Sequence, residues 1–459
     1  MLNLRLSVIA RWTGGRLLGD DRRVDSVSTD SRTLAAGALF VALPGEHHDA
    51  HDFVGAALQS GAAAAMVARE IGVDLPQIIV ADPLLALGEL ARQVRLHTSV
   101  CVIGITGSNG KTTVKTLLAS ILARRGSTHV NAGNFNNEIG LPLTLLAMPV
   151  DTEFAVLEMG AGKPGDIAYL AGIAQPTVAL INNIAVAHLE RLGDLEGVAR
   201  TKGALISALP DDGIAVINLD DAFAETFIEL AGTRRIVGFG LDAAADISAR
   251  FVACAPAGQF TLITPNGETA VKLALPGRHN VMNALAACAA AFAVDAQIPL
   301  DVVRDALEAA RLLRGRLTRH VHASGAVIFD DSYNANPASF AAAIALLAAE
   351  QGETVLVMGD MAELGRDAEQ LHFDTGALAK WSGIARLHAV GNLSRAAVAA
   401  FGDDARHHPD QAALIDALRS DLRQGVTLLI KGSRSSAMDR VVAALIDEDK
   451  SERGGRHAA

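Results

Sequence analysis

Val100-Cys101-Val102-Ile103-Gly104-Ile105-Thr106 runs without a charge into Gly107-Ser108-Asn109-Gly110-Lys111-Thr112-Thr113. The first part is an apolar, β-branched run of strand length. The second is a glycine turn, after which a lysine and two threonines open a helix expected to reach about Arg124. Gly107 and Gly110 let the backbone wrap a phosphate, with the N–H groups of the turn pointing inward. Lys111 supplies a point charge for the β- and γ-phosphates, and the Thr112 hydroxyl suits Mg²⁺. Residues Gly107, Ser108, Asn109, Gly110, Lys111, Thr112 and Thr113 therefore predict a nucleotide-phosphate loop, which alone does not say ligase, GTPase or kinase. The general pattern has a glycine five positions before Gly110, where this chain has Ile105. An ordinary glycine turn capping a helix is the plainer alternative. Strand, Gly-x-x-Gly-Lys-Thr and helix in that order favour the phosphate loop.

Strand-type runs follow at Phe154–Met159, Val178–Ile181, Ile214–Asn218 and Ile236–Phe239, with helices such as Glu196–Leu209 between them. Strands alternating with helices predict a parallel sheet covered on both faces. Phe251–Ala255 and Phe260–Thr264, with Pro256 and Gly258 between, predict an appended hairpin; helices His279–Ala293 and Leu300–Ala310 end the unit. Upstream, Ala38–Leu43, Ala64–Ala68 and Gln77–Val80 read as strands, and His51–Ser60 and Leu84–His97 as helices. Downstream of Arg314-Gly315-Arg316 the alternation restarts, with strands Val327–Asp330, Thr354–Met358, Leu387–Val390 and Val426–Ile430. Their helices begin near Pro337, Glu369, Ser394 and Gln411. The expectation is an α/β protein of three domains, residues 1–98, 99–313 and 314–459, the last an open dinucleotide-type fold. A chain of 459 residues exceeds what one core holds, since cores stop growing beyond roughly 250–300 residues. The polar end from Asp447 is expected to fray.

The formal net charge is −11, which disfavours nucleic acid as a partner; an anionic substrate needs a local cationic or N–H site. Cys101, Cys254 and Cys288 make neither a disulfide framework nor a zinc pattern, so a reducing, cytoplasmic setting is expected. The stretch MLNLRLSVIARWTGG lacks a secretory pattern. The longest apolar run, Ala284–Val294, is about half of the roughly 20 residues a membrane span needs. No membrane anchor is expected.

Glu158 stands where the strand Phe154–Met159 ends, beside the phosphate loop, where a metal ligand belongs. A solvated strand-end glutamate is the alternative. His188 follows the neighbouring strand at the same sheet edge, although a lone histidine is usually structural. Lys202, near the start of a helix, would alone read as a solvated lysine.

Thr106-Gly107-Ser108-Asn109-Gly110-Lys111-Thr112-Thr113 resembles the ATP loop of the Mur ligases, including its departure from the general pattern. That family joins amino acids to the peptide of the bacterial cell-wall precursor. Further stretches resemble its branch that adds D-alanyl-D-alanine to UDP-N-acetylmuramoyl-tripeptide. They are Gly133-Asn134-Phe135-Asn136-Asn137-Glu138-Ile139-Gly140, Ala187-His188-Leu189-Glu190-Arg191-Leu192-Gly193 and Gly277-Arg278-His279-Asn280-Val281-Met282-Asn283-Ala284. Asp330-Asp331-Ser332-Tyr333-Asn334-Ala335-Asn336-Pro337 and Gly359-Asp360-Met361-Ala362-Glu363-Leu364-Gly365 complete the set. The Asp-Asn-Pro-Arg motif of the ligase that adds the third residue is absent.

The resemblance implies an N-terminal UDP-substrate domain, a central ATPase and a C-terminal dinucleotide-fold domain. It implies catalytic roles for Lys111, Lys202 and His188, and a metal site of Thr112, Glu158, His188 and Lys202. Lys202 matches a lysine that the family carbamylates; the family's Lys-Gly-Glu is Lys202-Gly203-Ala204 here. Asn280 and Asn283 match adenine-side contacts, and Arg316, Asp331, Tyr333 and Asn334 the last domain's contribution to ATP. Lys431-Gly432-Ser433-Arg434 could face the same ATP. Asn134, Asn136 and Asn137 match a loop holding the muramyl-peptide end. Ser31 and Arg32, within Ser28-Thr29-Asp30-Ser31-Arg32, and Gly45, Glu46 and His47 resemble the uridine-diphosphate site. The family's Asp-Gly-His is Asp49-Ala50-His51 here, which forbids easy positive φ at position 50.

The implied reaction is amide formation driven by cleavage of ATP to ADP and phosphate, through an acyl phosphate, by a monomer whose third domain closes over the nucleotide. A folylpolyglutamate-type ligase should lack the UDP-domain motifs and Gly359–Gly365. A GTPase should carry Asn-Lys-x-Asp, which is absent, and a nicotinamide oxidoreductase is disfavoured because Gly238-Phe239-Gly240 has Ala243 where a third glycine is needed.

Overall fold

The apolar run before the glycine turn forms the strand Cys101–Thr106, in the middle of a six-stranded, all-parallel sheet. In this computed structural model, which describes residues 3–45, 48–186, 189–251, 258–311 and 314–446, the order across that sheet is Arg235–Phe239, Ile214–Asn218, Val178–Ile181, Cys101–Thr106, Phe154–Glu158, Thr128–Val130. The chain leaves Cys101–Thr106 for one side of the sheet and later resumes on the other. The carboxyl end of that strand is therefore a switch point, where open α/β sheets bind ligands.

Alternation along the strand divides its side chains between two cores. Ile103 and Ile105 pack with the helices Lys111–Leu122, Arg278–Val294 and Leu300–Ala309. Val102, with Leu157 and Ile181, packs on the opposite face with the helices Asp166–Ala174 and Leu195–Ser207. That second core continues through the helix Pro83–Leu96 into Leu39, Met66 and Ile78 of the N-terminal sheet. The two units share one apolar interior. The run at Ala284–Val294 lies within a helix buried on every side, which explains its composition; among the described residues no helix is long and apolar enough to cross a membrane.

The N-terminal sheet orders Arg16–Leu18, Gln77–Ile79, Ala64–Val67, Ala38–Val41 and Ser26–Ser28, parallel except at its first pair. The C-terminal sheet orders Thr318–Val321, Val327–Asp331, Val426–Lys431, Glu353–Gly359, Arg386–Val390 and Ala405–His408, again antiparallel only at the first strand. The architecture is three α/β domains, as the alternation of runs predicts.

Two expectations need correction. The appended hairpin is a three-stranded antiparallel sheet of Ser248–Phe251, Gly258–Thr264 and Gly267–Leu273. Gly258 begins a strand, and a tight turn lies instead at Pro265-Asn266, where the Thr264 hydroxyl accepts the Asn266 N–H and donates to the Gly267 carbonyl. Residues 252–257 lie outside the described set. Ala50 does not need positive φ either: it opens the 3₁₀ turn Ala50–Phe53, capped by the Asp49 carboxylate on the His51 N–H.

Candidate functional site

At the switch point the loop takes the shape its glycines permit. Gly107 has φ 151° and Gly110 φ 79°. A Cβ on Gly110 would lie 2.2 Å from Asn283 Oδ1 and 2.5 Å from Asn182 Nδ2, so position 110 also lacks space. Behind the loop, asparagines brace it. Asn182 Nδ2 donates to the Asn109 carbonyl and to Asn283 Oδ1, and Asn183 Oδ1 accepts the Asn109 N–H at 2.8 Å. Asn283 Nδ2 donates to Asn280 Oδ1, and Asn280 Nδ2 to the Pro276 carbonyl. Asn280 and Asn283 line the cleft, but their buried amides hold its wall.

Lys111 folds back on the loop, donating to the carbonyls of Gly107 at 2.8 Å and Ser108 at 3.2 Å. Burial lowers its pKa; nearby Glu158 opposes that shift and Arg316 adds to it. Thr112 donates its hydroxyl to Glu158 Oε2 at 2.9 Å, and Asn136 Nδ2 reaches Oε1 at 2.8 Å. Burial works against the Glu158 charge, but Lys111, Lys115 and these hydrogen bonds outweigh it and hold the carboxyl below its usual range. The Thr112 and Glu158 oxygens are hard donors of the kind Mg²⁺ takes, so this pair fits that ion.

Lys115 is a residue the sequence reading missed. Its Nζ lies 3.3 Å from Glu158 Oε2 and donates to the Asn131 carbonyl. The available signal is spacing, since i+4 from Lys111 places both lysines on one side of the helix. Asn131, also missed, accepts the Glu158 N–H and donates to its carbonyl. Lys202 is 1% exposed, and its pKa falls far below the ordinary lysine value, first through burial and then through Lys111. His188 lies outside the described residues.

The C-terminal domain reaches the same loop. Arg316 donates to the Thr112 hydroxyl at 2.9 Å and lies 4.1 Å over the Tyr333 ring. Asn336, caught by no motif role, donates to Asn109 Oδ1 at 2.8 Å. Lys431 pairs with Asp331 at 2.6 Å and with the Asn334 carbonyl at 2.9 Å. Burial raises the Asp331 pKa despite Lys431. Burial and the nearby Lys431 push His279 down to about 4.

Lys111, Thr112, Glu158, Arg316, Asp331 and Lys431 line one cleft of about 2210 Å³, which continues past Asn134, Asn136 and Asn137, whereas Lys115 and Lys202 are not among its lining residues. A typical small-ligand pocket is roughly 300–1,000 Å³, so the cleft has room for more than one substrate. Ser31, Arg32 and Gly45 are not brought into it. Arg32 forms a forked pair with Asp30 on the N-terminal domain, and the Gly45 N–H closes a turn on the His48 carbonyl. Glu46 and His47 lie outside the described residues.

A lysine-bearing anion loop, a buried carboxylate and a second domain's arginine facing one cleft define a nucleotide-driven transferase or ligase site. The Mur ligase middle domain model matches residues 105–291, the Mur ligase glutamate ligase domain model residues 315–434, and the Mur ligase family catalytic domain model residues 23–95. The chain belongs to the Mur ligase family. It is 44% identical to the UDP-N-acetylmuramoyl-tripeptide–D-alanyl-D-alanine ligase of Escherichia coli K12, over 97% of this chain and 99% of that one. The crystal structure of MurF from Acinetobacter baumannii is similar with a TM-score of 0.91 at 35% identity, covering 97% and 99% of the two chains. The MurF ligase of Thermotoga maritima in complex with ADP has a TM-score of 0.82 at 27% identity, covering 94% and 99%.

Proposed function

We propose that this chain joins D-alanyl-D-alanine to UDP-N-acetylmuramoyl-tripeptide, cleaving ATP to ADP and phosphate and giving the UDP-muramyl-pentapeptide used in peptidoglycan synthesis. The observation that carries the reading is the near full-length identity to the Escherichia coli ligase of that name, joined to a phosphate loop that faces a second domain across one large cleft.

A carboxylate is a poor electrophile. Attack of the tripeptide's terminal carboxylate oxygen on the γ-phosphorus, with ADP leaving, makes an acyl phosphate. The dipeptide amine then attacks the carbonyl carbon and phosphate leaves, while the ammonium proton passes to a base. Charge builds on the transferred phosphoryl group. Lys111, once it releases the Gly107 and Ser108 carbonyls, and the loop N–H groups face that charge and stabilise it. Arg316 extends the same cation field from the other domain. Thr112 and Glu158 would hold Mg²⁺, with His188 and Lys202 as further partners; the bound ion would neutralise phosphate charge.

Lys202 is proposed to work as its carbamate. Burial and the nearby Lys111 push its pKa well below the ordinary lysine value, which favours the neutral amine that adds CO₂ with release of a proton, and the resulting anion would lie near Lys111. Carbon-13 NMR of the protein in ¹³CO₂-bicarbonate should show one carbamate signal, lost in Lys202→Ala; a wild-type protein without that signal would remove the modification. The proposed setting is a cytoplasmic monomer.

Release of ADP with UDP-muramyl-tripeptide, measured with and without D-alanyl-D-alanine, tests the reaction. ADP should form at steady rate only when both substrates are present. Release with a folate substrate, or none with this pair, would overturn the reading.

A further inference from the structure

Amide formation from an acyl phosphate frees a proton on the attacking nitrogen, and a positioned side chain must take it. The carboxylates and the histidine that line the cleft are Glu138, Glu158, Asp166, His279, Asp331 and Glu350. All but Glu138 are engaged or remote. Glu158 is taken by Thr112, Asn136 and Lys115. Asp166 Oδ2 accepts the N–H groups of Gly162 at 2.8 Å and Lys163 at 2.9 Å, and Asp331 holds Lys431. His279 stands beside Lys431 with its pKa pushed down to about 4. Glu350 lies past the far end of the helix Pro337–Ala348, about 18 Å along its axis from Asn336 at the loop. Among the described residues Glu138 makes no hydrogen bond or ion pair; Lys163 and Arg191 line the same cleft and neither pairs with it. The backbone that carries Glu138 is fixed on both sides. The Asn136 carbonyl accepts the Gly160 N–H at 2.8 Å, and Asn137 Oδ1 accepts the Gly140 N–H at 2.9 Å. Asn136 also holds Glu158 Oε1, and two residues span at most about 7 Å, so Glu138 stands at the Glu158 end of the cleft.

We propose that Glu138 is the base that takes this proton from the D-alanyl-D-alanine nitrogen. The proposal rests on the ligase reading above and supplies the base that its second step requires. An α-amino group has a pKa of about 8, so the dipeptide first gives one proton to water and presents its amine. The amine lone pair forms the C–N bond at the acyl-phosphate carbonyl carbon, and phosphate leaves with the electron pair of its C–O bond. The nitrogen, cationic once bonded, passes a second proton to a Glu138 carboxylate oxygen, which returns it to water. The Glu138 lone pairs are available for this because no neighbour among the described residues occupies them. Phosphoryl transfer comes earlier and uses the Lys111 side of the cleft, so it does not need Glu138.

The test compares the wild type with Glu138→Gln, Glu138→Ala and Glu138→Asp in the presence of ATP, the UDP-tripeptide and D-alanyl-D-alanine. Glu138→Gln and Glu138→Ala should lower kcat by about 10²-fold, the lower end of what a positioned base contributes. Glu138→Asp should retain more activity than either. Rapid quench of the first turnover separates a base from a merely structural residue. Each variant should still cleave one ATP per enzyme at wild-type speed and then stall. Acetate should accelerate Glu138→Ala, where it can occupy the space left by the side chain, and not Glu138→Gln. Equal melting temperatures check that the fold is intact. Turnover above a tenth of wild type in Glu138→Gln, a first turnover slowed as much as the later ones, or no gain with acetate would each overturn the proposal while leaving the ligase reading in place. Absence of ADP release by the wild type with this substrate pair would overturn both.

Discussion

Lys111 and Lys115 are chemically alike and do different things. Lys111 rests on two loop carbonyls that phosphate oxygens can replace, whereas Lys115 is fixed between Glu158 and the Asn131 and Gly133 carbonyls. Lys111→Ala should therefore fold normally and lose roughly 10²–10³ in kcat, the usual result of removing one transition-state donor; more than a tenth of wild-type turnover in a folded variant would contradict the loop assignment. Lys115→Ala removes a cation that holds Glu158 ionised. The Glu158 pKa must then rise, so the acid limb of the pH–rate profile should move to higher pH. A limb that stays in place would show that Glu158 ionisation does not govern activity. Lys111 was legible because a motif marks it. Lys115, Asn131 and Asn336 were not, because their roles come from tertiary neighbours far along the chain, as when Asn336 meets Asn109.

The glycine turn is the element where sequence and geometry agree most closely. An alanine at position 110 would meet both a positive φ and an amide oxygen at 2.2 Å. Gly110→Ala should weaken ATP binding at least about 10-fold and cost on the order of 1–3 kcal/mol of stability. Adding Asn283→Ala should relieve only a share of the steric part, since Asn182 Nδ2 stays at 2.5 Å, and should leave the positive φ cost, which titration calorimetry and thermal melts can follow. Strand positions such as Val178–Ile181 were readable from their unbroken apolar runs, the mark of burial on both faces. Thr318–Val321 was missed because this edge strand, with the sequence Thr-Arg-His-Val, has one pairing partner and little apolar patterning. In the C-terminal sheet, His388 Nδ1 and His408 Nε2 face each other at 3.0 Å beside Asp421. Burial pushes His388 down to about 4 against the pull of Asp421. The unfolded chain therefore binds a proton that the folded one refuses. Stability is complete above about pH 6.5 and falls as pH drops toward 4, by on the order of 1–3 kcal/mol. His388→Gln should flatten that slope in melts taken across the range; an equal slope would remove His388 as its cause.

At the scale of the molecule, the cleft-lining groups are divided between Lys111 and Thr112 on one domain and Arg316, Asp331 and Lys431 on another. Among the described residues the ties between them at the loop are Arg316 to Thr112 and Asn336 to Asn109, with the Glu190 N–H on the Glu363 carbonyl and Val186 against the C-terminal core further along. Gly315, with φ 75°, can absorb rotation between the two domains. Domain motion is the default for such an interface. Small-angle scattering should show a smaller radius of gyration with an ATP analogue and UDP-tripeptide, and a larger one for ligand-free Arg316→Ala than for ligand-free wild type. An unchanged radius at saturation would leave a preformed site. The interior running from Leu39 and Met66 through Pro83–Leu96 to Leu157 and Ile181 has a different consequence. Severing the chain near Thr98 would bare apolar surface on both fragments, which should then aggregate, whereas severing it near Arg314 should release a piece able to fold. A calorimetric scan of the intact chain should accordingly resolve two heat-absorption peaks, one for residues up to about Ala310 and one for the remainder, even though the backbone is laid out as three sheet-bearing domains.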